Sequence, residues 1–288
     1  MTSLRPYLAL TKPRLTLVAV LTSLAGYFIG GGGLDDGWGL LHLPVAMMCL
    51  GAALAALNQF FERRIDARMP RTAGRPLPAG DLSPERAFWF GFVLLGLALT
   101  QLLVAINALT TLLAVMTAIV YLGCYMPLKR RTAWCIAVGA IPGALPLVMG
   151  YTAATGRLDV GAWILFAILF LWQTPHFMAI GMLYRREYRD AGLRVMPDEA
   201  RWPASVPWQI VIFSLALVIA TTWPTYVGLA GQHYLMVALA LGFVFGAFAF
   251  EAAIGRTIPA ARRLFLASLV YLPALLAAMV LDAGFISR

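Results

Sequence analysis

The stretch LPVAMMCLGAALAALNQFFERRIDARMPRTAGRPLPAG, residues 43–80, begins as a continuous apolar run and ends in acids, arginines, prolines and glycines. Its apolar part, 43–61, approaches the roughly 20 residues that a helix needs to cross a bilayer. Comparable runs lie near 15–33, 87–106, 109–126, 134–153, 160–182, 207–227, 233–252 and 264–284. They are filled with Leu, Ala and Met and do not alternate polar with apolar residues, which disfavours a β-barrel and predicts an all-α membrane bundle of about nine transmembrane helices. With 61% hydrophobic and 12% charged residues, the chain has more apolar surface than one soluble core hides. It reads as a single polytopic domain over 1–288. The first run follows Arg5, Lys12 and Arg14 but lacks a small-residue cleavage site, so it reads as a retained helix.

Charge gives an expected orientation. If the amino terminus is cytoplasmic, twenty of the 22 Lys and Arg fall in inside segments, and only Arg157 and Arg288 lie outside. That asymmetry follows the positive-inside rule and predicts a periplasmic carboxyl terminus in a bacterial inner membrane. The net charge of +9 is then explained by topology and anionic lipid, and calls for no nucleic-acid partner. Cys49, Cys124 and Cys135 show no CxxC spacing, so neither a disulfide framework nor a thiolate metal site is indicated.

The chemistry concentrates where the first quoted helix ends. Asn58, Glu62 and Asp66 recur every four residues and stack on one helical face. Like charges at that spacing repel by about 0.2–0.5 kcal/mol per pair, so a cation should neutralise them. Two carboxylates and an amide oxygen suit Mg²⁺, whose shell substrate phosphates and water complete. A capped helix end pairing with Arg63, Arg68 and Arg71 remains an alternative from spacing alone. The loop that follows carries Arg68, Arg71 and Arg75, whose forked guanidinium groups match phosphate oxygens.

A second cluster lies in LWQTPHFMAIGMLYRREYRDAG (171–192). Steps of three and four carry one face from His176 through Tyr184 to Glu187 and Asp190. Gln173 and Tyr188 flank that face, and a neutral His176 imidazole is either a helix-to-helix hydrogen bonder or a ligand for haem iron. Both clusters end spans of equal parity, four helices apart. That spacing hints at two pseudo-related four-helix halves around a cavity open to the cytoplasm, although no convincing sequence repeat is visible. A third cluster, YMPLKRRT (125–132), brings Lys129 and Arg130 to the same side as candidates for phosphate or porphyrin propionates.

Together these motifs resemble the protohaem IX farnesyltransferase (haem O synthase) family of intramembrane prenyltransferases. The resemblance rests on LTKPR (11–15), the NxxxExxxD pattern at 58–66, MPRTxxRPLPxG (69–80), LKRRT (128–132), GAxP (143–146), WQTPHF (172–177), EY and AG within 187–192, and MP at 196–197. It covers residues 10–200, and WQTPHF with LKRRT is its most specific part. Met126-Pro127 and Arg186-Glu187-Tyr188 depart from the family's usual Tyr-Thr and Asp-Asp-Tyr.

The resemblance implies Mg²⁺-dependent farnesyl transfer from farnesyl diphosphate to a vinyl group of haem b. Metal is expected on Asn58, Glu62 and Asp66, with a thinner second set at Glu187 and Asp190. Diphosphate is expected on Arg68, Arg71 and Arg75, and substrate contacts at Lys12, Lys129, Arg130, Gln173, His176, Tyr184, Glu187 and Tyr188. Haem A synthase or a terminal oxidase assembly is the implied recipient of haem O. The rival readings are a prenyltransferase for a quinone precursor, which WQTPHF disfavours, a transporter, which would place its polar groups near the midplane, and a structural oxidase-assembly subunit, which leaves the acidic face unexplained.

Overall fold

The computed structural model describes residues 4–193 and 205–286, with side chains to residue 283. The MP motif at 196–197 and the basic residues Arg194, Arg201 and Arg288 lie outside the described residues. A short helix α1 (Arg5–Leu10) precedes α2 (Pro13–Ile29), α3 (Gly37–Asp66), α4 (Pro84–Ala105), α5 (Ala108–Leu128), α6 (Cys135–Thr155) and α7 (Val160–Leu183). There follow α8 (Arg185–Asp190), α9 (Ser205–Ala220), α10 (Trp223–Tyr226), α11 (Gln232–Gly255) and α12 (Ile258–Ile286). No strand occurs among the described residues. Among the described residues eight helical segments are long and apolar enough to cross a membrane, and α2, at 17 residues, is a shorter ninth.

Local signals start these helices where the chain turns. The Asp36 carboxylate caps α3 by accepting from Gly39 N at 3.0 Å, Asn107 caps α5 through Thr110 N at 2.8 Å, and Asp159 caps α7 through Gly161 N at 3.0 Å. Each satisfies an amide that the helix itself leaves without a partner. Pro13 and Pro84 occupy the first turns of α2 and α4, where their missing N–H costs nothing.

The spans pack in chain order as a closed ring, with α12 returning to α2. Two further contacts, α2 with α6 and α7 with α12, pinch that ring into two units. At the first, backbones meet directly. A Cβ on Gly26 would collide with the Leu147 carbonyl oxygen, and one on Gly150 with the Ser23 carbonyl oxygen. Small residues at such crossings let membrane helices approach closely.

That crossing exposes an internal repeat. Gly26, Tyr27, Gly32, Leu34, Asp35 and Gly37 recur as Gly150, Tyr151, Gly156, Leu158, Asp159 and Gly161, at a constant offset of 124 residues. The hydrogen bonds echo it one residue out of that register: Tyr27 O–H donates to Asp36, the cap of α3, and Tyr151 O–H donates to Asp159, the cap of α7, at 3.0 Å. The two related halves expected from span parity are thus visible in hydrogen bonds and in a short sequence signature.

Candidate active site

A rise of 1.5 Å per residue makes the 30-residue α3 about 45 Å long, against about 30 Å of hydrocarbon. A helix of that length overhangs the layer, and its last turns carry Asn58, Glu62 and Asp66, exposed by only 3%, 7% and 3%. Each is held by a cation from a different segment. Lys12 Nζ donates to Asn58 Oδ1 at 3.3 Å, and Asn58 Nδ2 donates to Glu62 Oε2 at 3.1 Å. Lys129 Nζ donates to both Glu62 oxygens, at 3.0 and 3.2 Å, and Arg75 Nη1 donates to Asp66 Oδ2 at 2.7 Å. Thr72 Oγ1 donates to Asp66 O at 2.8 Å and folds the basic loop back over the helix end.

Three cations thus face two largely buried carboxylates. The surplus positive charge is a reason for an anion to bind there. Burial, with the Arg75 charge, pushes the Lys12 ammonium down to about 8. Burial opposes charge on Lys129 too, but Glu62 holds its ammonium above the usual lysine range. Lys12 also adopts a left-handed backbone, φ 45° and ψ 60°, where the following Pro13 disfavours the helical alternative. Its carbonyl accepts from Leu15 N and Thr16 N, which pins the ammonium at the mouth of α2.

A second ladder faces the acids. The chain widens into a π-helical turn over Ile119–Tyr125, a distortion frequent at functional sites. Tyr121 and Tyr125 stack at 5.5 Å, and Lys129 Nζ lies 5.2 Å from the Tyr125 ring centre. Gly139 leaves room for that ring, which a Cβ would strike. Neither tyrosine stood out in the sequence. The signal was present: Tyr121, Tyr125 and Lys129 repeat the four-residue step of Asn58, Glu62 and Asp66.

The other expected residues divide. Arg71 links the two clusters, with Nε 3.9 Å from Glu187 and its guanidinium 5.5 Å from the Tyr184 ring centre. Tyr188 packs beside Met69 of the basic loop. Glu187 Oε2 is buried without a hydrogen-bond partner. Arg68 and Arg130 are exposed on the same side of the bundle. Two of the expected residues lie apart from the acid cluster. Asp190 is 70% exposed and pairs with Arg189 at 3.6 Å, so it is turned to water and away from Glu187. Gln173 is buried between α7 and α6, its Nε2 donating to Ala140 O at 3.0 Å and its oxygen filling the space over Gly143. It joins two helices and does not enter the acid cluster.

The donors fit a hard divalent cation at one place. Asn58, Glu62 and Asp66 supply buried oxygens along one helix face, leaving positions for phosphate and water. Among the described residues no group of three His, Cys, Asp or Glu is assembled to hold a metal alone.

The profile of the UbiA prenyltransferase family matches residues 19–279. The chain belongs to that family. It is 40% identical to the protoheme IX farnesyltransferase of Solibacter usitatus, over 97% of this chain and 99% of the relative. It is 42% identical to the enzyme of that name from Myxococcus xanthus, over 96% and 93%. Among solved structures, one from a study of digeranylgeranylglyceryl phosphate synthase superposes with a TM-score of 0.82 over both full lengths at 20% identity. A UbiA homologue of Archaeoglobus fulgidus bound to DMAPP and Mg²⁺ gives 0.67, over 95% and 98%, at 16% identity. At those identities the two structures speak for the membrane fold, and family membership makes the acid ladder the place to look for prenyl transfer.

Proposed function

We propose that this membrane enzyme transfers the farnesyl group of farnesyl diphosphate to a vinyl group of haem b, with addition of water, giving haem O and diphosphate. The observation that carries the proposal is the buried site of two carboxylates and three cations at one rim of a UbiA-family bundle. Near-full-length similarity to protoheme IX farnesyltransferases supports haem as the acceptor.

Mg²⁺ on Asn58, Glu62 and Asp66 would supply Lewis-acid stabilisation of the leaving diphosphate. The chain's own groups do the rest. Lys12, Arg75 and Lys129 converge on the site and offer N–H donors to phosphate oxygens, with Arg71 at its edge. The C1–O bond breaks with both electrons passing to diphosphate, and the tyrosine faces at 121 and 125 steady the allylic cation by cation–π attraction, about 2 kcal/mol when dry. The vinyl π pair then forms a carbon–carbon bond to C1. Water adds to the resulting side-chain cation and releases a proton, which diphosphate accepts. Burial of the ladder keeps other water from quenching the first cation.

The basic rim faces the cytoplasm in this reading, since eighteen described Lys and Arg lie at that end and Arg157 at the other. The amino terminus is then inside, the carboxyl terminus is periplasmic, the host membrane is a bacterial inner membrane, and haem O passes to haem A synthesis or a terminal oxidase. The test is incubation of purified protein with haem b, farnesyl diphosphate and Mg²⁺, with and without chelator. Chelator-sensitive haem O by mass spectrometry is expected. Prenylation of an aromatic acid with no haem product would overturn the acceptor and leave the metal site standing.

A further inference from the structure

The contact between α7 and α12 carries an inference that rests on haem being the acceptor. Trp172 and His176 lie one turn apart on α7, and Ser268 of α12 binds both. Trp172 Nε1 donates to Ser268 O at 3.0 Å, and His176 Nδ1 lies 2.7 Å from Ser268 Oγ. That hydroxyl also reaches back 2.6 Å to Phe265 O, one turn earlier on its own helix. A serine hydroxyl has a single proton, and a carbonyl oxygen has none to give. The proton of Ser268 therefore goes to Phe265 O, and the contact with His176 runs from Nδ1–H to Ser268 Oγ.

This fixes the tautomer. With the proton on Nδ1, Nε2 carries the lone pair, and it meets no hydrogen-bond donor among the described residues. Here the free nitrogen sits in an aromatic frame: the Trp172 ring stacks on the imidazole at 4.7 Å and 21°, Phe265 lies at 5.3 Å, and Phe177 meets it edge-on at 5.5 Å. The ring's orientation is thus held from both sides and through its other nitrogen, the arrangement by which proteins present imidazole to a metal.

We infer that His176 Nε2 is the axial ligand that holds the iron of the haem substrate, and that Ser268 is the positioning residue that sets its tautomer. A neutral imidazole with a free lone pair is the form that binds haem iron, and flat apolar side chains around it suit the porphyrin face. Ligation fixes the centre and tilt of the macrocycle, while propionate partners set its rotation, which decides the vinyl group presented for attack.

The experiment is a titration of the full-length protein in detergent with haem b, without farnesyl diphosphate, followed by absorbance and by resonance Raman of the ferrous form. The expected result is an iron–imidazole band in the wild type. His176→Phe should lose the band, and His176→Gly should regain it with free imidazole, which separates loss of a ligand from loss of the fold. Ser268→Ala should keep the ligand but shift the band and weaken haem binding about 10- to 100-fold, while Ser268→Thr retains both. An unchanged band in His176→Phe, or wild-type haem bound without imidazole ligation, overturns the inference. If wild type makes haem O yet shows no such ligation, only the inference fails. If it neither binds haem nor makes haem O, the acceptor assignment fails with it.

Discussion

The two halves of the bundle are related by an offset of 124 residues, yet their rim-side helix ends have diverged. On α3, Glu62 and Asp66 are buried, and each carboxylate is paired with a cation from elsewhere in the chain. The corresponding positions near the end of α7 are Arg186 and Asp190, both exposed, with Glu187 beside them holding one oxygen without a hydrogen bond. The shared repeat places both ends at the same rim, so fold alone does not make a charged site. What differs is convergence: Lys12, the 68–75 loop and Lys129 all close on the first end, whereas Arg71 reaches the second at 3.9 Å. Ionisation of diphosphate should therefore depend on the first half, and the second should shape the acceptor side.

Substitutions in both halves test that division. Glu62→Gln or Asp66→Asn removes a proposed metal ligand and leaves a buried cation without its partner. Each should lower kcat/KM for farnesyl diphosphate by about 100-fold or more. Asp190→Asn, its repeat mate, should change it less than about threefold, since an exposed pair with Arg189 contributes little. Equal losses in both halves, by steady-state assay with folding checked by size exclusion, would erase the asymmetry.

A smaller effect is expected at Gly150. An Ala there places a methyl against the Ser23 carbonyl where the halves cross, and overpacking of this kind costs about 1–3 kcal/mol. A lower thermal midpoint in detergent, with Glu62-dependent turnover retained in the folded fraction, is the expected outcome. Gly96, which meets nothing within 4 Å, is the control whose replacement by Ala should leave the midpoint in place.

The gentlest test uses pH. Burial lowers Lys12 from the usual 10.5 to about 8, so the folded chain loses this proton before the unfolded chain does. Stability linked to Lys12 accordingly rises between about pH 8 and 10.5, because the unfolded state then binds the extra proton. Diphosphate affinity moves the opposite way, as the cation is lost: kcat/KM should fall as pH passes about 8. Lys12→Arg, which does not titrate there, should flatten that limb. A limb unchanged in Lys12→Arg would assign the titration to another group.

Much of this was legible in the sequence, for identifiable reasons. Span number and order follow from run length, since bilayer thickness imposes one requirement on every crossing. The face of Asn58, Glu62 and Asp66 follows from helical periodicity, and its arginine loop from adjacency. The start of α3 at Gly37 was harder to see, because His42 and Pro44 interrupt the hydropathy that Asp36 caps from outside. The internal repeat is faint in the sequence because it survives at turns and caps, while lipid-facing positions exchange one apolar residue for another. Tyr121 and Tyr125 read as two more aromatics until a π turn stacked them. Ser268 lies 92 residues from His176 and becomes its partner only when α12 closes on α7.

The overlong α3 has one more consequence. Its acid-bearing end is the proposed reaction site at one end of a membrane span, and the products of the proposed reaction belong to different phases. Diphosphate, small and highly charged, escapes into bulk water and is diluted beyond return, whereas the farnesylated porphyrin stays dissolved in lipid. Their separation opposes recombination at the site, so the position of a helix terminus relative to the bilayer gives the chemistry a direction that no single side chain supplies.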